Sequence, residues 1–212
     1  MSDVLTRKQK TEKIIEAGLQ LIPNIGSSLA TLYFGSKQQR EFNRISNFYK
    51  SLAKEIESLK KRISLNEQDE DKLMALIEKI NNKVEKELLQ DKIDYFKNCF
   101  KNILIYPIKE DNDYEEKTFF LDALASMTLL ETEILRTLNQ QEESVLVRDI
   151  NIRGVEQYAI VGAVSRLRNL GFLELSTRSM TIGGPTDNRL TEGIRTSLFG
   201  KKFIEFCLNL KN

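Results

Sequence analysis

Residues 154–175 read GVEQYAIVGAVSRLRNLGFLEL, and this stretch predicts a helix, a turn and a strand in the C-terminal half of the chain. Its apolar residues recur at intervals of three and four, the spacing that places side chains on one face of a helix. The predicted core positions of this helix are Ile160, Val161, Val164, Leu167 and Leu170. Gly171 follows the last of them and predicts a turn, after which FLEL begins a strand.

The segments on either side of this helix predict short helices and strands. Before it, Thr128 and Glu131 have the spacing of a capping box that opens another helix. The stretch SVLVRDI at 144–150 is rich in β-forming residues. After the helix come a strand LELSTRSMTI (173–182), a glycine-rich loop GGPTDN (183–188), a strand EGIRTSLF (192–199) and a closing helix GKKFIEFCLNL (200–210).

This order of elements resembles that of winged helix-turn-helix domains. SRLRNLGFLEL at 165–175 resembles the point where such domains leave the recognition helix and enter the wing. SLFGKKFIEF at 197–206 resembles the stretch that carries their last strand into a closing helix. The resemblance covers roughly residues 120–210. One feature departs from it: only RDINIR, at 148–153, separates the short strand from the long helix, so the helix that normally precedes the recognition helix is short or missing.

The N-terminal half predicts a helical hairpin. A first helix runs from Thr6 to Ile22 and ends at Pro23, because proline disfavours helical geometry in the residue before it. A second helix begins near Asn24, a good N-cap, and continues towards Gly35. Apolar residues then alternate at spacings of three and four, which predicts a coiled-coil seam. These residues are Phe42, Ile45, Tyr49, Leu52, Ile56, Leu59 and Ile63.

After the turn SLNEQDED at 64–71, a second long helix is predicted to pack against this seam. Its apolar positions are Leu73, Ile77, Ile80, Val84, Leu88, Leu89, Ile93, Phe96, Phe100 and Ile103. The extra step at Leu88 and Leu89 is a stutter, which locally unwinds a supercoil. Two arrangements fit: the two helices pack in antiparallel within one subunit, or the seam also pairs with another copy through spare apolar surface such as Phe48.

Pro107 and the acidic stretch KEDNDYEEK at 109–117 mark a linker between two domains. We therefore predict a helical hairpin or coiled-coil domain at 1–110 and a winged-helix-like domain at 119–212, which opens with a short helix from Phe119 to Met127. The fold class is mainly α: an N-terminal antiparallel helical hairpin or bundle, with a C-terminal winged-helix-like domain that carries a small β-hairpin wing.

Composition excludes several kinds of site. The 212 residues include 32 basic and 31 acidic residues and no histidine. Without histidine, Ser-His-Asp and Cys-His nucleophilic sites and most zinc sites are excluded. No phosphate-binding glycine motif occurs either, so we predict no enzyme, no catalytic residue, no cofactor and no metal. Cys99 and Cys207 fall in apolar helical patterns and are predicted to be buried thiols in a reducing cytoplasm, since no secretory signal is present.

The outward face of the helix at 155–169 favours protein contact over DNA contact. The residues predicted to face outward are Glu156, Gln157, Ala159, Gly162, Ala163, Ser165, Arg166 and Asn169. The small Gly162–Ala163 pair is suited to close packing against a partner. DNA contact would instead use Arg166, Arg168 and, at the wing tip, Arg189. DNA binding needs several clustered cations, and Asp187 partly cancels Arg189, so DNA is an alternative that the sequence does not favour.

Residues 17–36 contain no charged residue and approach the length of a membrane span. Pro23, the glycines and several polar residues interrupt this run. Three interpretations therefore stay open: a helical hairpin within the domain, conditional membrane insertion or surface association, and an oligomer interface. The candidate contact residues of this segment are Leu29, Leu32, Tyr33 and Phe34.

Three short motifs resemble a loosely defined group of bacterial proteins that includes the abortive-infection alpha-type family. They are the broken apolar segment IPNIG (22–26), the helix QREFNRISNFYKSLAKEIESL (39–59) and the glycine-led LFGKKFIEFC (198–207). The resemblance implies a role in phage defence or a mobile-element context and no catalytic residues. We expect a non-enzymatic protein-interaction or assembly component that binds a protein partner or itself. A winged-helix DNA-binding regulator and a membrane-active effector using residues 17–36 are the alternatives.

Overall fold

The described residues are mainly helical and include a small three-stranded antiparallel sheet, which confirms the predicted fold class at this coarse level. The chain divides into two compact units, Met1–Ala125 and Ser126–Asn212. The structure is a computed structural model, and the residues it describes are 40, 41, 43–45, 47–49, 51, 52, 55, 69–176 and 188–209.

The first unit is built from helices around one apolar core. The described residues between 40 and 55 are helical and are followed by three helices. These are α1 (Glu70–Val84), α2 (Gln90–Ile105) and α3 (Asp111–Ser126). Most of the predicted seam positions that are described are buried, whereas Ile45 is half-buried and Leu88 and Leu89 are exposed. The buried members are Tyr49, Leu52, Leu73, Ile77, Ile80, Val84, Ile93, Phe96, Phe100 and Ile103.

The prediction of one long helix across residues 73–103 is wrong, because the chain breaks between α1 and α2. Arg44 Nε donates to the carbonyl oxygen of Glu85 at 2.9 Å, so a side chain, and not a helical N–H group, binds this oxygen. Glu87 Oε1 accepts the backbone N–H groups of Leu88 at 2.8 Å and Leu89 at 3.0 Å. The two leucines are therefore 79% and 46% exposed instead of buried in the seam.

The predicted linker at 109–117 is also wrong, since α3 begins at Asp111. Asp113 Oδ2 accepts the backbone N–H groups of Lys109 at 3.1 Å and Glu110 at 3.3 Å. Acidic side chains in a first turn stabilise a helix N-terminus, so the composition that suggested a solvated linker instead starts a helix. The same helix buries Phe120 and Leu124 and extends over most of the predicted helix at 119–127.

The second unit alternates helices with short strands. Its elements are α4 (Leu129–Asn139), β1 (Val145–Leu146), a 3-10 turn (Val147–Asp149), α5 (Gln157–Asn169), β2 (Leu173–Ser176), α6 (Asn188–Thr191), β3 (Gly193–Thr196), α7 (Leu198–Phe203) and a π-helical turn (Ile204–Leu208). The capping box of Thr128 and Glu131 is confirmed at the start of α4. The short helix α6 was not expected.

The sheet has the strand order β1-β3-β2, and both pairings are antiparallel. Ile194 at its centre pairs with Val145 on one side and Leu175 on the other. Strands are present within both segments that were predicted to be strands, over 173–176 and 193–196. Residues 177–187, which hold most of the predicted wing loop, lie outside the described residues.

The turn at Gly171 and the helix α7 close the unit. Gly171 has a φ of +76°, which confirms the predicted turn at this glycine. Ser197 Oγ donates to the Gly171 carbonyl oxygen at 2.6 Å and accepts the Gly200 N–H at 2.9 Å, so it caps α7 and holds it to the turn. Phe203 of α7 stacks on Phe172, with ring centroids 4.2 Å apart.

Candidate functional site

The start of α5 is fixed by two side chains that accept or donate hydrogen bonds at its first turn. Glu156 is the N-cap, and its carboxylate accepts the backbone N–H groups of Tyr158 at 2.9 Å and Ala159 at 3.3 Å. Gln157 Nε2 donates to the carbonyl oxygen of Val147 in the 3-10 turn at 2.9 Å. These bonds set where α5 begins and hold its first turn against the preceding segment.

The inner face of α5 is wider than the sequence predicted. Ile160, Val161, Val164 and Leu167 are buried as expected. Ala163 was predicted to face outward beside Gly162, but it is only 6% exposed. It lies three residues after Ile160, on the flank of the apolar face, and its small side chain fits there. Ala163 is therefore a core residue and is removed from the candidate interaction surface.

The opposite side of α5 is exposed and carries an aromatic ring. Tyr158 is 52% exposed, and a side-chain carbon added at Gly162 would meet no atom within 4 Å. We define the α5 outer face as Tyr158, Ala159, Gly162, Arg166 and Asn169, all of which are exposed. Their spacing places them on one side of the helix. Apart from Arg166, this face is uncharged.

Arg166 stands on the α5 outer face but is anchored within its own unit. Its Nε lies 3.1 Å from Glu131 Oε1, and its Nη2 donates to the carbonyl oxygen of Ser126 at 3.0 Å. The Arg166 side chain is 51% exposed, whereas that of Glu131 is 2% exposed. Because the buried carboxylate needs a cationic partner, the guanidinium is held in one place by the core of the unit.

The other two predicted DNA-contacting arginines are positioned differently. Arg168 Nη1 lies 2.6 Å from Glu192 Oε2, and both side chains are about one-third exposed or less, at 32% and 27%. A carboxylate within the unit therefore already pairs with this guanidinium. Arg189 is exposed on α6, away from α5 in the sequence. Its predicted neighbour Asp187 lies outside the described residues.

Two exposed arginines near α5 were missed by the sequence analysis. Arg148 belongs to the 3-10 turn and is 57% exposed, at 3.8 Å from the carboxylate of its neighbour Asp149. Arg153 is exposed in the turn that leads into α5. Both arginines belong to the segment RDINIR at 148–153, whose positive charge could have predicted them as candidates.

The coiled-coil seam does not provide the spare apolar surface that was predicted at Phe48. Phe48 is 1% exposed, and its ring lies 5.4 Å from that of Tyr49 and 6.2 Å from that of Phe100, measured between centroids. The space beside the seam is filled by α2 of the same unit. Phe48 is therefore a core residue and not a contact residue for a partner.

The predicted contacts of the N-terminal segment lie outside the described residues. These are residues 17–36, with Leu29, Leu32, Tyr33 and Phe34. In the part of the chain that is described, no helix has the length and apolar content needed to cross a membrane. Within the same part, no three His, Cys, Asp or Glu side chains are grouped so that they could hold a metal ion.

Both cysteines are buried free thiols, as the sequence predicted. The site that emerges is a helical surface with an exposed aromatic ring, a glycine and an anchored arginine, which suits non-covalent recognition. Comparison with known proteins adds no assignment: no family model, no curated protein sequence and no solved structure matches the chain.

Proposed function

We propose that the chain is a non-enzymatic assembly component that associates with itself through the α5 outer face. One observation carries this proposal. The centre of that face, from Tyr158 to Gly162, is exposed and uncharged, while the arginines at the end of the same helix are paired with carboxylates of their own unit. Exposed aromatic side chains and arginines are enriched where proteins meet proteins.

The second unit would act as a winged-helix-like module in this assembly. The order α4, β1, α5, β2, α6, β3 resembles that of a winged helix apart from the short α6, and β2 and β3 pair as antiparallel neighbours, which supports this proposal. The 3-10 turn at Val147–Asp149 stands where such domains have their middle helix. In this arrangement α5 takes the place of the recognition helix, whose outer side is the surface used for contact.

Protein contact is favoured over DNA contact because the arginines of α5 are already paired with carboxylates. Binding to duplex DNA requires that lysine and arginine side chains neutralise several phosphates. Arg166 and Arg168 already lie 3.1 Å and 2.6 Å from carboxylate oxygens. Moving either arginine to a phosphate would leave Glu131 or Glu192 without that partner, and the buried Glu131 would lose most.

Assembly through the second unit is favoured over assembly through the seam. Phe48, Tyr49 and Leu52 are at most 2% exposed, so these described seam residues are already covered within one subunit. A second copy could reach them only by displacing the helices that now pack there. The α5 outer face requires no such rearrangement.

The proposed setting is bacterial defence against phage, in the cytoplasm. It rests on the resemblance of residues 22–26, 39–59 and 198–207 to the abortive-infection alpha-type group. The free thiols of Cys99 and Cys207 suit a reducing compartment. Phage plating on cells with and without the chain tests this setting: we expect fewer plaques when the chain is present, and equal plating would contradict a defence role.

The assembly itself is tested by sedimentation equilibrium of the whole chain over a range of concentrations. We expect the mass to rise with concentration from one chain of 24.5 kDa towards two. A single-chain mass at tens of micromolar would contradict self-association.

The second candidate function is DNA binding, and a different observation favours it. Arg148 and Arg153 are exposed immediately before α5, near the position from which a recognition helix enters a groove. If these residues contact phosphate, duplex binding should weaken steeply between low and physiological salt. The double substitution Arg148→Ala with Arg153→Ala should then reduce both the affinity and the salt dependence. Weak binding that is insensitive to salt would exclude this function.

A further inference from the structure

We propose that two copies of the chain pair through α5 in antiparallel orientation, with the two helices crossing at Gly162 and Tyr158 of each copy facing Arg166 of the other. The inference rests on the proposed self-association and names its geometry. It follows from three exposed residues of α5: Tyr158, Gly162 and Arg166. Gly162 has open space around it, and Arg166 is charged.

The α5 outer face is symmetric in residue spacing about Gly162. Tyr158 stands four residues before Gly162 and Arg166 four residues after it. Residues four apart lie on the same side of a helix, about one turn from each other. When two such helices cross in antiparallel at their glycines, Tyr158 of one copy reaches the same level as Arg166 of the other. A single contact surface then pairs with itself, as a two-fold dimer requires.

The centre of this face has room for a second helix. Among the described residues, apart from the chain neighbours and nearby backbone of α5 itself, no atom lies within 4 Å of a side-chain carbon built at Gly162. A glycine inside an exposed helix costs about 1 kcal/mol relative to alanine, and no described neighbour of Gly162 fills the space that a side chain would take. A second helix could approach α5 closely at this point, because Gly162 has no side chain to keep it away. The distance between packed helices depends on the side chains at the contact.

The two ends of the face are complementary to each other. The ring face of tyrosine attracts a guanidinium through its quadrupole. Arg166 is fixed by Glu131 and by the Ser126 carbonyl, yet remains half-exposed, so little further order is needed when a ring covers it. A parallel pair would instead place Arg166 beside Arg166 and Tyr158 beside Tyr158, so that no ring would cover a guanidinium. The antiparallel arrangement therefore fits this face, and the parallel one does not.

The size of the contact sets its strength. A helix of 13 residues is about 20 Å long, so one helix pair alone covers less area than a standard protein interface. The resulting dimer belongs to the weak, reversible class and forms at micromolar concentrations or above. Its geometry can be captured by a covalent link between the two copies.

The test is disulfide cross-linking of the whole chain with Gly162→Cys. The two positions meet at the two-fold axis, so oxidation should link the copies. Asn169→Cys is the matched control on the same face. In an antiparallel pair the two copies of residue 169 are about 21 Å apart along the helices, beyond the roughly 7 Å that a disulfide can bridge. The native Cys99 and Cys207 are both 0% exposed, and the unsubstituted chain gives their background.

We expect the linked fraction for Gly162→Cys to exceed that for Asn169→Cys by about tenfold or more. Equal linking of both variants indicates a parallel pair and overturns the inference. A dimer by sedimentation in which neither variant links also overturns it, while the proposed self-association stands. A monomer by sedimentation overturns both. A substitution at residue 162 meets open space, so the Gly162→Cys chain should fold as the native chain does.

Discussion

Arg166 Nε lies 3.1 Å from Oε1 of Glu131, whose side chain is 2% exposed. The other carboxylate oxygen of Glu131 accepts the backbone N–H of Thr128 at 2.6 Å and closes the capping box of α4. One buried carboxylate therefore fixes the start of α4 and the exposed arginine of α5 together. The packing of the second unit and the shape of the α5 outer face therefore both depend on the carboxylate of Glu131.

Replacing Arg166 should destabilise the second unit. Arg166→Ala leaves the buried carboxylate of Glu131 without its cationic partner, and we expect the free energy of unfolding to fall by about 1–3 kcal/mol. Urea unfolding followed by circular dichroism measures this change. Arg153→Ala, at an exposed position, is the control and should shift the free energy by less than about 0.5 kcal/mol. Equal stability of the two variants would contradict the anchoring role of Arg166.

Alanine at Gly162 should stabilise the isolated chain. The position is in an exposed helix interior with open space around it, so Gly162→Ala should raise the free energy of unfolding by about 0.5–1 kcal/mol. Thermal unfolding at concentrations too low for association measures the effect. Gly162→Leu should also fold, but its side chain fills the crossing point and should weaken self-association. A loss of stability in Gly162→Ala would show that the position is packed within the unit.

Alanine at Gly200 should have the opposite effect. A side-chain carbon there would overlap the carbonyl oxygen of Phe172, a backbone atom that accepts the Ser197 N–H and cannot easily move. We expect Gly200→Ala to lower the free energy of unfolding by about 1–3 kcal/mol. Gly162→Ala is the matched control, since the chemical change is the same and only the surroundings differ. Stabilisation by both substitutions would contradict the close contact at Gly200.

The first unit should lose stability in acid through Glu87. Burial raises the pKa of the Glu87 carboxyl. Together, hydrogen bonds from the Leu89 N–H, the Lys92 ammonium and the Leu88 N–H, with the positive charge of Lys92, outweigh this effect, so the net pKa lies below its ordinary value. Lys92, with its side chain 7% exposed, also donates to the Ala125 carbonyl oxygen at 2.9 Å. The charged carboxylate of Glu87 thus stabilises the connection between α1 and α2.

Because the folded-state pKa of Glu87 is lowered, its stabilisation is present above the unfolded value of about 4.3 and is lost as the pH falls through the folded pKa. Glu87→Gln should therefore be less stable than the native chain at neutral pH, by about 1–3 kcal/mol. The difference should disappear in acid. Urea unfolding over a pH series measures it, and the exposed Glu78→Gln should show little difference at any pH. A difference for Glu87→Gln that persists unchanged in acid would contradict the assignment.

The sequence predicted those features that depend on residues close together in the chain. The seam positions from Leu73 to Val84 and from Ile93 to Ile103 follow from periodicity alone. The Thr128–Glu131 capping box and the Gly171 turn follow from local backbone chemistry, and the structure confirms them. The apolar face of α5 was also predicted, except for Ala163, because an alanine at the flank of a helix is compatible with either side.

The features that were missed depend on residues far apart in the sequence. At the break between α1 and α2, Arg44 donates to the carbonyl oxygen of Glu85, and the periodicity of apolar residues cannot predict that contact. The pairing of Arg166 with Glu131 likewise joins two helices. A sequence shows both charges but not their distance, so the arginine could be read as free for DNA. The acidic start of α3 was ambiguous for another reason, since carboxylates suit both a linker and a helix N-terminus.

Sedimentation velocity of three chains at tens of micromolar tests the central claim, which is self-association through the α5 outer face. Tyr158→Glu places a charge on that face, and Thr137→Glu places the same charge at an exposed position on α4. The native chain and Thr137→Glu should sediment in part as dimers, while Tyr158→Glu should remain a monomer. A native chain that is monomeric, or a Tyr158→Glu chain that associates as the native chain does, would contradict the account.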